Sequence, residues 1–255
     1  MPRLLFIFVL LAQPLLSSAQ RLLRQPLSYV PPQNICVLPH DQDNIILDIM
    51  AINQFLTPRA IAVSAADRKT AVKAVRKNKG KEGLGKPVEG FSAEQSFLLT
   101  AQPVAFDSIE NRYFNELPRI IRNEALPLAE RERAAQDFLD CTGIVLATDG
   151  ATSVYVNLYE NCTALVATPQ LSLTLDIISE YPEGPEVKFR VGGLKPGQTE
   201  FALRIRLQDP DRIPAFYING RPIPSPVVED GYLVVNRKWR NHEEVFFYTD
   251  SPGLP

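Results

Sequence analysis

The chemistry-bearing residue that first stands out is Cys141, in the stretch DFLDCTGIV at residues 137–145. It follows a helix-like pattern and precedes a run of strand-like segments. Its neighbours are Asp140 on one side and the turn-forming pair Thr142-Gly143 on the other. A cysteine in such a place can be a nucleophile, a metal ligand, half of a disulfide or a small buried hydrophobic residue.

A nucleophilic cysteine needs a lowered thiol pKa. We expect Cys141 at the C-terminal end of a helix, where the helix dipole and the nearby Asp137 and Asp140 disfavour a thiolate. A zinc ion could compensate, but it needs several more ligands. The remaining cysteines and histidines lack the spacing of a metal site: Cys36, Cys162, His40 and His242. The sequence therefore favours a buried cysteine, with a disulfide to Cys36 or Cys162 as the next alternative.

Aromatic rings can hold a sugar by stacking, and the candidates for this role are Trp239 and Tyr217. For Trp239, in NRKWRN, packing in the core is the alternative that we favour; Tyr217 and Tyr232 are ambiguous in the same way. Glycosidases commonly use two carboxylates, but nothing selects a pair among the 29 acidic residues. Asn161-Cys162-Thr163 has the form of an N-glycosylation site, which matters only in a eukaryotic source.

The first 19 residues have the pattern of a secretory signal peptide. Arg3 precedes an apolar run from Leu4 to Ala12, and Ser17-Ser18-Ala19 offers small residues for cleavage. The run is too short to span a bilayer, and Pro14 interrupts it. We therefore expect a secreted or periplasmic protein with no integral membrane segment. The formal net charge of −2 gives no indication of nucleic acid as a partner.

Residues 20–145 are expected to be mainly helical. The pattern predicts helices over 45–56, over 107–123 with a kink at Pro118, and from Pro127 through LAERERAAQDFL. Between the first two lies a basic stretch, 68–87, with eight basic residues and one acidic residue. It could contact a polyanion or a polysaccharide, but a solvated helix end and flexible loop is the interpretation that we favour.

From about residue 146 the hydrophobic period changes to two. LSLTLDI, EVKFRVG and FALRIRL alternate apolar and polar residues, as antiparallel strands do when one face lies in a core. VYVNLY, YLVVN and EVFFY predict further strands, and Asn219-Gly220 between FYI and PIP predicts a tight hairpin. The fold class is therefore α+β, with a small helical N-terminal region followed by an antiparallel β-sandwich at 146–250, of jelly-roll or immunoglobulin-like type.

The order of these segments resembles glycoside hydrolase family 127, a family of β-L-arabinofuranosidase-like enzymes. The segments that carry the resemblance lie between about 150 and 249: VYVNLYENCTALV, LSLTLDIISEYPEGPEVKFRV, FALRIRL, FYINGRPI and GYLVVNRKWRNHEEVFF. They are similar to the last part of the family chain, where the catalytic barrel returns into C-terminal β-sandwich domains. Upstream, ENRYFNELPRI at 110–120 and DCTG at 140–143 look like a late barrel helix and the tail of the catalytic segment.

The resemblance implies a zinc site built from three cysteines and a glutamate, with one cysteine as the nucleophile. Cys141 is the residue nearest to that segment. The chain departs from the family in two respects. Asp140 stands where the family motif has a second cysteine, and 20–145 is too short for the family's (α/α)6 barrel, so we read it as a truncated, barrel-like region. Zinc is expected only if the family site is retained; otherwise we expect no cofactor and no metal ligands.

We therefore predict a secreted, carbohydrate-associated protein that acts as a non-catalytic accessory or glycan-binding module, with a plant or microbial polysaccharide as its partner. One alternative is an active β-L-arabinofuranosidase-like hydrolase with Cys141 as nucleophile. The other is a structural or interaction domain without sugar chemistry. Under the first prediction Trp239 and Tyr217 are the candidate carbohydrate-binding residues.

Overall fold

The computed structural model describes residues 45–56, 109–148, 152–195, 199–209, 212–229 and 231–249, together with the backbone of 35–39. The predictions made for residues 1–19 and 68–87 lie outside these ranges. The chain divides into two compact units: the first comprises Met1–Cys36 and Asp43–Gly143, and the second comprises Val37–Gln42 and Ile144–Pro255.

The first unit is helical in its described part. Its elements are α1 (Ile45–Ile52), a π-helical turn (Arg112–Glu116), α2 (Leu117–Arg122) and α3 (Leu128–Val145), of which the last two residues belong to the second unit. Tyr113 and Phe138 stack with their ring centroids 4.6 Å apart, and both are buried. Arg112 and Asp137 form an ion pair at 2.5 Å alongside this contact.

The kink predicted at Pro118 takes the form of the π-helical turn. The backbone N–H of Leu117 donates to the carbonyl of Arg112, five residues earlier. Proline has no N–H to donate to the carbonyl four residues before it, and its ring crowds that carbonyl. Widening the turn just before Pro118 lets the helix continue into α2 with the proline in its first turn, where a missing donor costs little.

Helix α3 begins directly after Pro127, as predicted, but it ends six residues beyond the predicted end at Leu139. It continues through Thr142-Gly143 to Val145. A glycine inside a helix costs about 1 kcal/mol relative to alanine. Ile144 and Val145 are only 1% and 0% exposed, and their burial offsets that cost. The Thr142 hydroxyl donates to the Leu139 carbonyl at 2.6 Å, which satisfies it within the helix.

The second unit is a β-sandwich of two sheets. After β1 (Ile35–Pro39), the strands are β2 (Leu146–Thr148), β3 (Ser153–Val156), β4 (Cys162–Ala167), β5 (Ser172–Ser179), β6 (Glu186–Gly192), β7 (Glu200–Arg206), β8 (Phe216–Ile218), β9 (Arg221–Pro222), β10 (Val227–Glu229), β11 (Tyr232–Lys238) and β12 (Glu244–Tyr248). Sheet A has the order β1-β4-β5-β6-β12-β8-β9, and sheet B has the order β10-β11-β7-β3-β2.

The predicted α+β class and the sandwich are confirmed, and the core lies between the sheets. Every second residue of β6 is buried, as its alternating sequence requires. Phe189 of β6 stacks against Phe247 of β12 with centroids 6.0 Å apart. One pairing differs from the antiparallel expectation, because β3 and β7 run parallel. The finer jelly-roll or immunoglobulin-like assignment remains a prediction.

Candidate functional site

Sheet A carries three aromatic side chains on the face that points away from the core. Along β12, Val245 and Phe247 are buried, whereas Phe246 is half-buried and Tyr248 is 53% exposed. Tyr217 of β8 pairs with Phe246, and their rings stack with centroids 4.7 Å apart and planes 15° apart. Tyr248 meets Phe246 edge to face at 5.7 Å. We call Tyr217, Phe246 and Tyr248 the aromatic strip.

The strip continues across the sheet as one row of paired residues. Phe246 pairs with Lys188 of β6, and Lys188 pairs with Ile178 of β5. Ile178 is 39% exposed, which is high for an isoleucine in a strand. Neighbouring strands lie about 4.8 Å apart, so the row from Tyr217 to Ile178 spans roughly 14 Å. This length suits an extended chain molecule rather than a single small ligand.

A row of charged and polar side chains lies beside the strip on the same face. The Thr163 hydroxyl donates to Asp176 at 2.9 Å, and Asp176 pairs across the sheet with Arg190. Arg190 in turn donates from Nε and Nη2 to one carboxylate oxygen of Glu244 at 2.9 and 2.7 Å. The Arg190 side chain is still 43% exposed, so this row offers hydrogen-bonding groups to the solvent.

The β8–β9 turn fixes Tyr217 in register with Phe246. Asn219 and Gly220 have φ values of 50° and 75°, which confirms the predicted hairpin, since a type I′ turn needs positive φ at both central positions. The Asn219 side-chain oxygen accepts from the Glu244 backbone N–H at 2.8 Å, and the Asn219 N–H donates to the Glu244 carbonyl at 2.9 Å. The turn is thereby tied to the start of β12.

Trp239 lies in the sandwich core and is 1% exposed. Its Nε1 donates to the Phe201 carbonyl at 2.9 Å, and its ring stacks on the Phe201 ring with centroids 5.3 Å apart. The Arg237 guanidinium lies 5.4 Å from the indole centroid. The ring therefore lies in the core, which is the alternative that the sequence favours for Trp239.

Tyr232, the other ambiguous tyrosine, is 2% exposed and belongs to a buried polar group. Its hydroxyl donates to the Asn157 side-chain oxygen at 2.7 Å, and the Asn157 amide donates to the Ile144 carbonyl at 2.9 Å. Burial raises the pKa of Tyr232, although the nearby Arg206 guanidinium acts in the opposite direction. This arrangement links Tyr232 of β11 to Asn157, just after β3, and to the Ile144 carbonyl, all within the second unit, which is a structural role.

Cys141 is 2% exposed in the last turn of α3. Asp140 beside it accepts a hydrogen bond from Gln136 at 2.8 Å. Cys141 and Cys162 both carry thiols, so the disulfide alternative for Cys141 was wrong. Burial and the charges of Glu160 and Asp176 raise the pKa of Cys162 well above its ordinary value. Cys141 belongs to the first unit of the chain, whereas Tyr217 and Trp239 belong to the second.

The zinc site that the resemblance implies would need its ligands to come together in the fold. Among the side chains that the structure describes, no three histidine, cysteine, aspartate or glutamate residues come together as ligands for a metal ion. Zinc at this place therefore stays a prediction. No helix in the described ranges has the length and apolarity needed to cross a bilayer.

Sequence reasoning missed two of the three rings in the aromatic strip, Phe246 and Tyr248. The signal was present in EVFFY, where a period of two places Val245 and Phe247 on one face and the other two rings on the opposite face. What the sequence does not contain is the pairing of β12 with β8, which brings Tyr217 beside Phe246.

Comparison with known proteins shows which family the sandwich region is similar to. Residues 153–250 match the sequence model of the family described as beta-L-arabinofuranosidase, GH127 middle domain. No curated protein matches the chain. Among solved structures, a GH127 beta-L-arabinofuranosidase from Geobacillus stearothermophilus T6 is 20% identical with a TM-score of 0.42; the match covers 48% of this chain and 19% of that one.

Two further solved structures are similar over a larger part of this chain. A GH127 beta-arabinofuranosidase is 19% identical with a TM-score of 0.48, over 62% of this chain and 30% of its own. A protein described as a glycoside hydrolase is 16% identical with a TM-score of 0.46, over 62% and 31% of the two chains. The chain thus spans less than a third of the length of each of these proteins.

Proposed function

We propose that this chain, a GH127-like protein through residues 153–250, is a secreted, non-catalytic accessory module that binds a plant or microbial polysaccharide. The family match supports a carbohydrate as the ligand, because the description of the matched family names a beta-L-arabinofuranosidase. The observation that carries the proposal is the aromatic strip on the solvent face of sheet A.

The chemistry of the strip suits a sugar chain. A sugar ring presents C–H groups that pack on aromatic rings and hydroxyls that need hydrogen-bond partners, and tyrosine supplies an apolar body with a polar end. Tyr217 and Tyr248 provide two such rings. Arg190 and Glu244 lie in the adjacent row and provide charged donors and acceptors for hydroxyl groups.

Binding can be tested by affinity electrophoresis of the full chain in gels that contain arabinan, arabinoxylan or a microbial arabinogalactan. We expect retardation by at least one of these polysaccharides. Tyr217→Ala and Tyr248→Ala should each weaken it about tenfold, because removing a ring from the contact loses roughly 1–2 kcal/mol. Leu165→Ala is the matched control, since Leu165 is 37% exposed on the same face but outside the row. Equal migration in every gel would overturn the proposal.

The non-catalytic part has its own test. We expect the purified chain to release no sugar from an aryl β-L-arabinofuranoside. If release is observed and Cys141→Ser abolishes it, the chain is instead a hydrolase that uses this thiol.

Secretion rests on the pattern of residues 1–19 and is tested separately. Protein recovered from the periplasm or the culture medium should begin at Gln20 when its N-terminus is sequenced. Recovery of protein that starts at Met1 from the cytoplasm alone would contradict this part of the proposal.

A further inference from the structure

The row beside the aromatic strip contains an ion pair that still has hydrogen-bonding groups to offer. Arg190 of β6 stands directly opposite Glu244 of β12. Its Nε and Nη2 both donate to Oε1 of Glu244, at 2.9 and 2.7 Å. Among the described residues, none accepts from Nη1 of Arg190 and none donates to Oε2 of Glu244. Since the two side chains are 43% and 33% exposed, a donor and an acceptor within one ion pair are open to a ligand.

Backbone hydrogen bonds fix the position of this pair before any ligand arrives. The Glu244 N–H donates to the side-chain oxygen of Asn219 at 2.8 Å, and the Glu244 carbonyl accepts from the Asn219 N–H at 2.9 Å. Next to Arg190, the Val191 N–H donates to the Glu243 carbonyl at 2.9 Å. Groups that are already ordered lose less conformational entropy when they bind. The pair is therefore a preorganised polar contact on the outer face of sheet A.

The charges on this face are paired with one another and nearly cancel. On the outer sides of β4, β5, β6 and β12, the described residues carry three carboxylates and two cations: Asp176, Glu186, Glu244, Lys188 and Arg190. Arg190 is paired with Glu244, and Nζ of Lys188 lies 3.5 Å from Glu186. A carboxylate on a ligand would meet cations that already have partners, on a face with one excess negative charge. The face therefore favours a neutral sugar chain.

We infer that the site of the proposed function takes neutral polysaccharides and that the Arg190–Glu244 pair recognises two adjacent hydroxyls of one sugar ring. Arg190 lies two residues after Lys188 on β6, so the pair is roughly 7 Å from the row of the strip. A ring that lies against the strip turns one edge toward the pair. One hydroxyl oxygen accepts from Nη1 of Arg190, and the neighbouring hydroxyl donates to Oε2 of Glu244.

Hydrogen bonds to ionised groups are stronger than those between neutral groups, so this pair contributes to selection as well as to affinity. A sugar whose adjacent hydroxyls are substituted loses both contacts, and an acidic sugar adds an unfavourable charge. The inference rests on the proposed function, to which it adds the class of ligand and the two residues that select it.

The first test compares ligands by affinity electrophoresis of the full chain. Arabinan, arabinoxylan and a microbial arabinogalactan are used native and after O-acetylation, which keeps the sugar rings but removes hydroxyl donors. Polygalacturonate supplies a chain with a carboxylate on every ring. We expect retardation by at least one native neutral polysaccharide, and about tenfold weaker binding of its acetylated form and of polygalacturonate. Binding of the neutral chain should change less than about twofold between roughly 0.05 and 0.5 M sodium chloride, because salt has no ligand charge to screen.

The second test changes the pair itself. Arg190→Lys keeps the positive charge but loses the planar set of donors, and Glu244→Gln keeps the shape but loses the negative charge. Each should weaken binding of the native polysaccharide about tenfold, because one hydrogen bond to an ionised group is lost. Neither should change binding of the acetylated form, which lacks these contacts. Glu229→Gln is the matched control, since it removes a carboxylate from the ion pair with Arg204 on sheet B and should leave binding unchanged.

A thermal unfolding scan of the same variants separates affinity from stability. The Arg190–Glu244 pair is part-exposed, so we expect the midpoints to stay within about 3 °C of the wild type. The proposed function and this inference fail in different ways. If no native polysaccharide retards the protein, both are overturned. If a native polysaccharide binds, but polygalacturonate, the acetylated chain or the two variants bind equally well, this inference alone is overturned.

Discussion

Replacing Trp239 with phenylalanine distinguishes a core role for this residue from a role in binding sugar. The indole Nε1 donates to the Phe201 carbonyl at 2.9 Å, and both residues are about 1% exposed. Phenylalanine keeps a ring against Phe201 but leaves that carbonyl without its donor. Such a loss costs about 1–3 kcal/mol in the free energy of unfolding. Trp239→Ala removes the ring stack as well and should cost about 3–5 kcal/mol.

The loss can be measured by urea denaturation followed by far-ultraviolet circular dichroism, which does not depend on the tryptophan. With a slope of about 1–3 kcal/mol per molar urea, a loss of 2 kcal/mol lowers the midpoint by roughly 1 M. Tyr248→Ala is the comparison variant. Its ring is 53% exposed, so we expect a change within about 0.5 kcal/mol.

Two results would refute this reasoning. One is a Trp239→Phe protein as stable as the wild type that no longer binds the polysaccharide, which would make the indole a ligand contact. The other is a Tyr248→Ala protein that loses as much stability as Trp239→Ala, which would make the exposed ring part of the core. The expected pattern is the opposite, with stability lost at Trp239 and affinity lost at Tyr248.

Three further predictions concern the framework that holds the site. Asn157→Ala should lower the free energy of unfolding, measured by urea denaturation, by about 2–4 kcal/mol. The reason is that the Tyr232 hydroxyl and the Ile144 carbonyl both lose a buried partner. A loss below about 1 kcal/mol would mean that water replaces the amide. Gly220→Ala should cost about 1 kcal/mol in thermal unfolding, because φ is 75° while a Cβ would meet nothing within 4 Å; a neutral result would show that the turn relaxes. Burial raises the pKa of Cys162 in the folded chain, so the thiol of the unfolded chain loses its proton at a lower pH. The free energy of unfolding should therefore fall as pH rises above about 8.5. Cys162→Ala should flatten this decline, and an unchanged slope in the variant would contradict the prediction.

Most of the sandwich follows from the sequence because its strands have one buried face. EVKFRVG predicts a strand over residues 186–192, and β6 has these bounds. The Asn219-Gly220 turn was predictable because few residue pairs accept positive φ twice. Short strands such as β2 and β10, with three residues each, are too brief to show a period, and β2 is buried throughout. Their existence depends on neighbours that are remote in sequence.

The helix end near Cys141 was not predictable for a different reason. Thr142-Gly143 is a local turn signal, and local propensity alone ends the helix at Leu139. The helix continues because Ile144 and Val145 gain burial if it does, and that gain depends on the tertiary fold. The candidate site shows the same limit, since Tyr217 could be identified from the sequence but its partner Phe246 required the register between β8 and β12.

The outer faces of the two sheets differ in the large aromatic side chains that they expose, and the proposed polysaccharide site lies on sheet A for this reason. On sheet B, three residues that alternate with the core are buried as well, Ala202 at 8%, Arg206 at 1% and Tyr232 at 2% exposure, whereas Glu200, Asn236 and Lys238 of the same set are exposed. On sheet A the corresponding positions reach 39% at Ile178 and 53% at Tyr248. Large apolar side chains left in water forgo up to about 1.5–3 kcal/mol of burial each. A ligand that covers the aromatic strip recovers part of this free energy, so ring substitutions on the outer face of sheet A should change affinity more than stability.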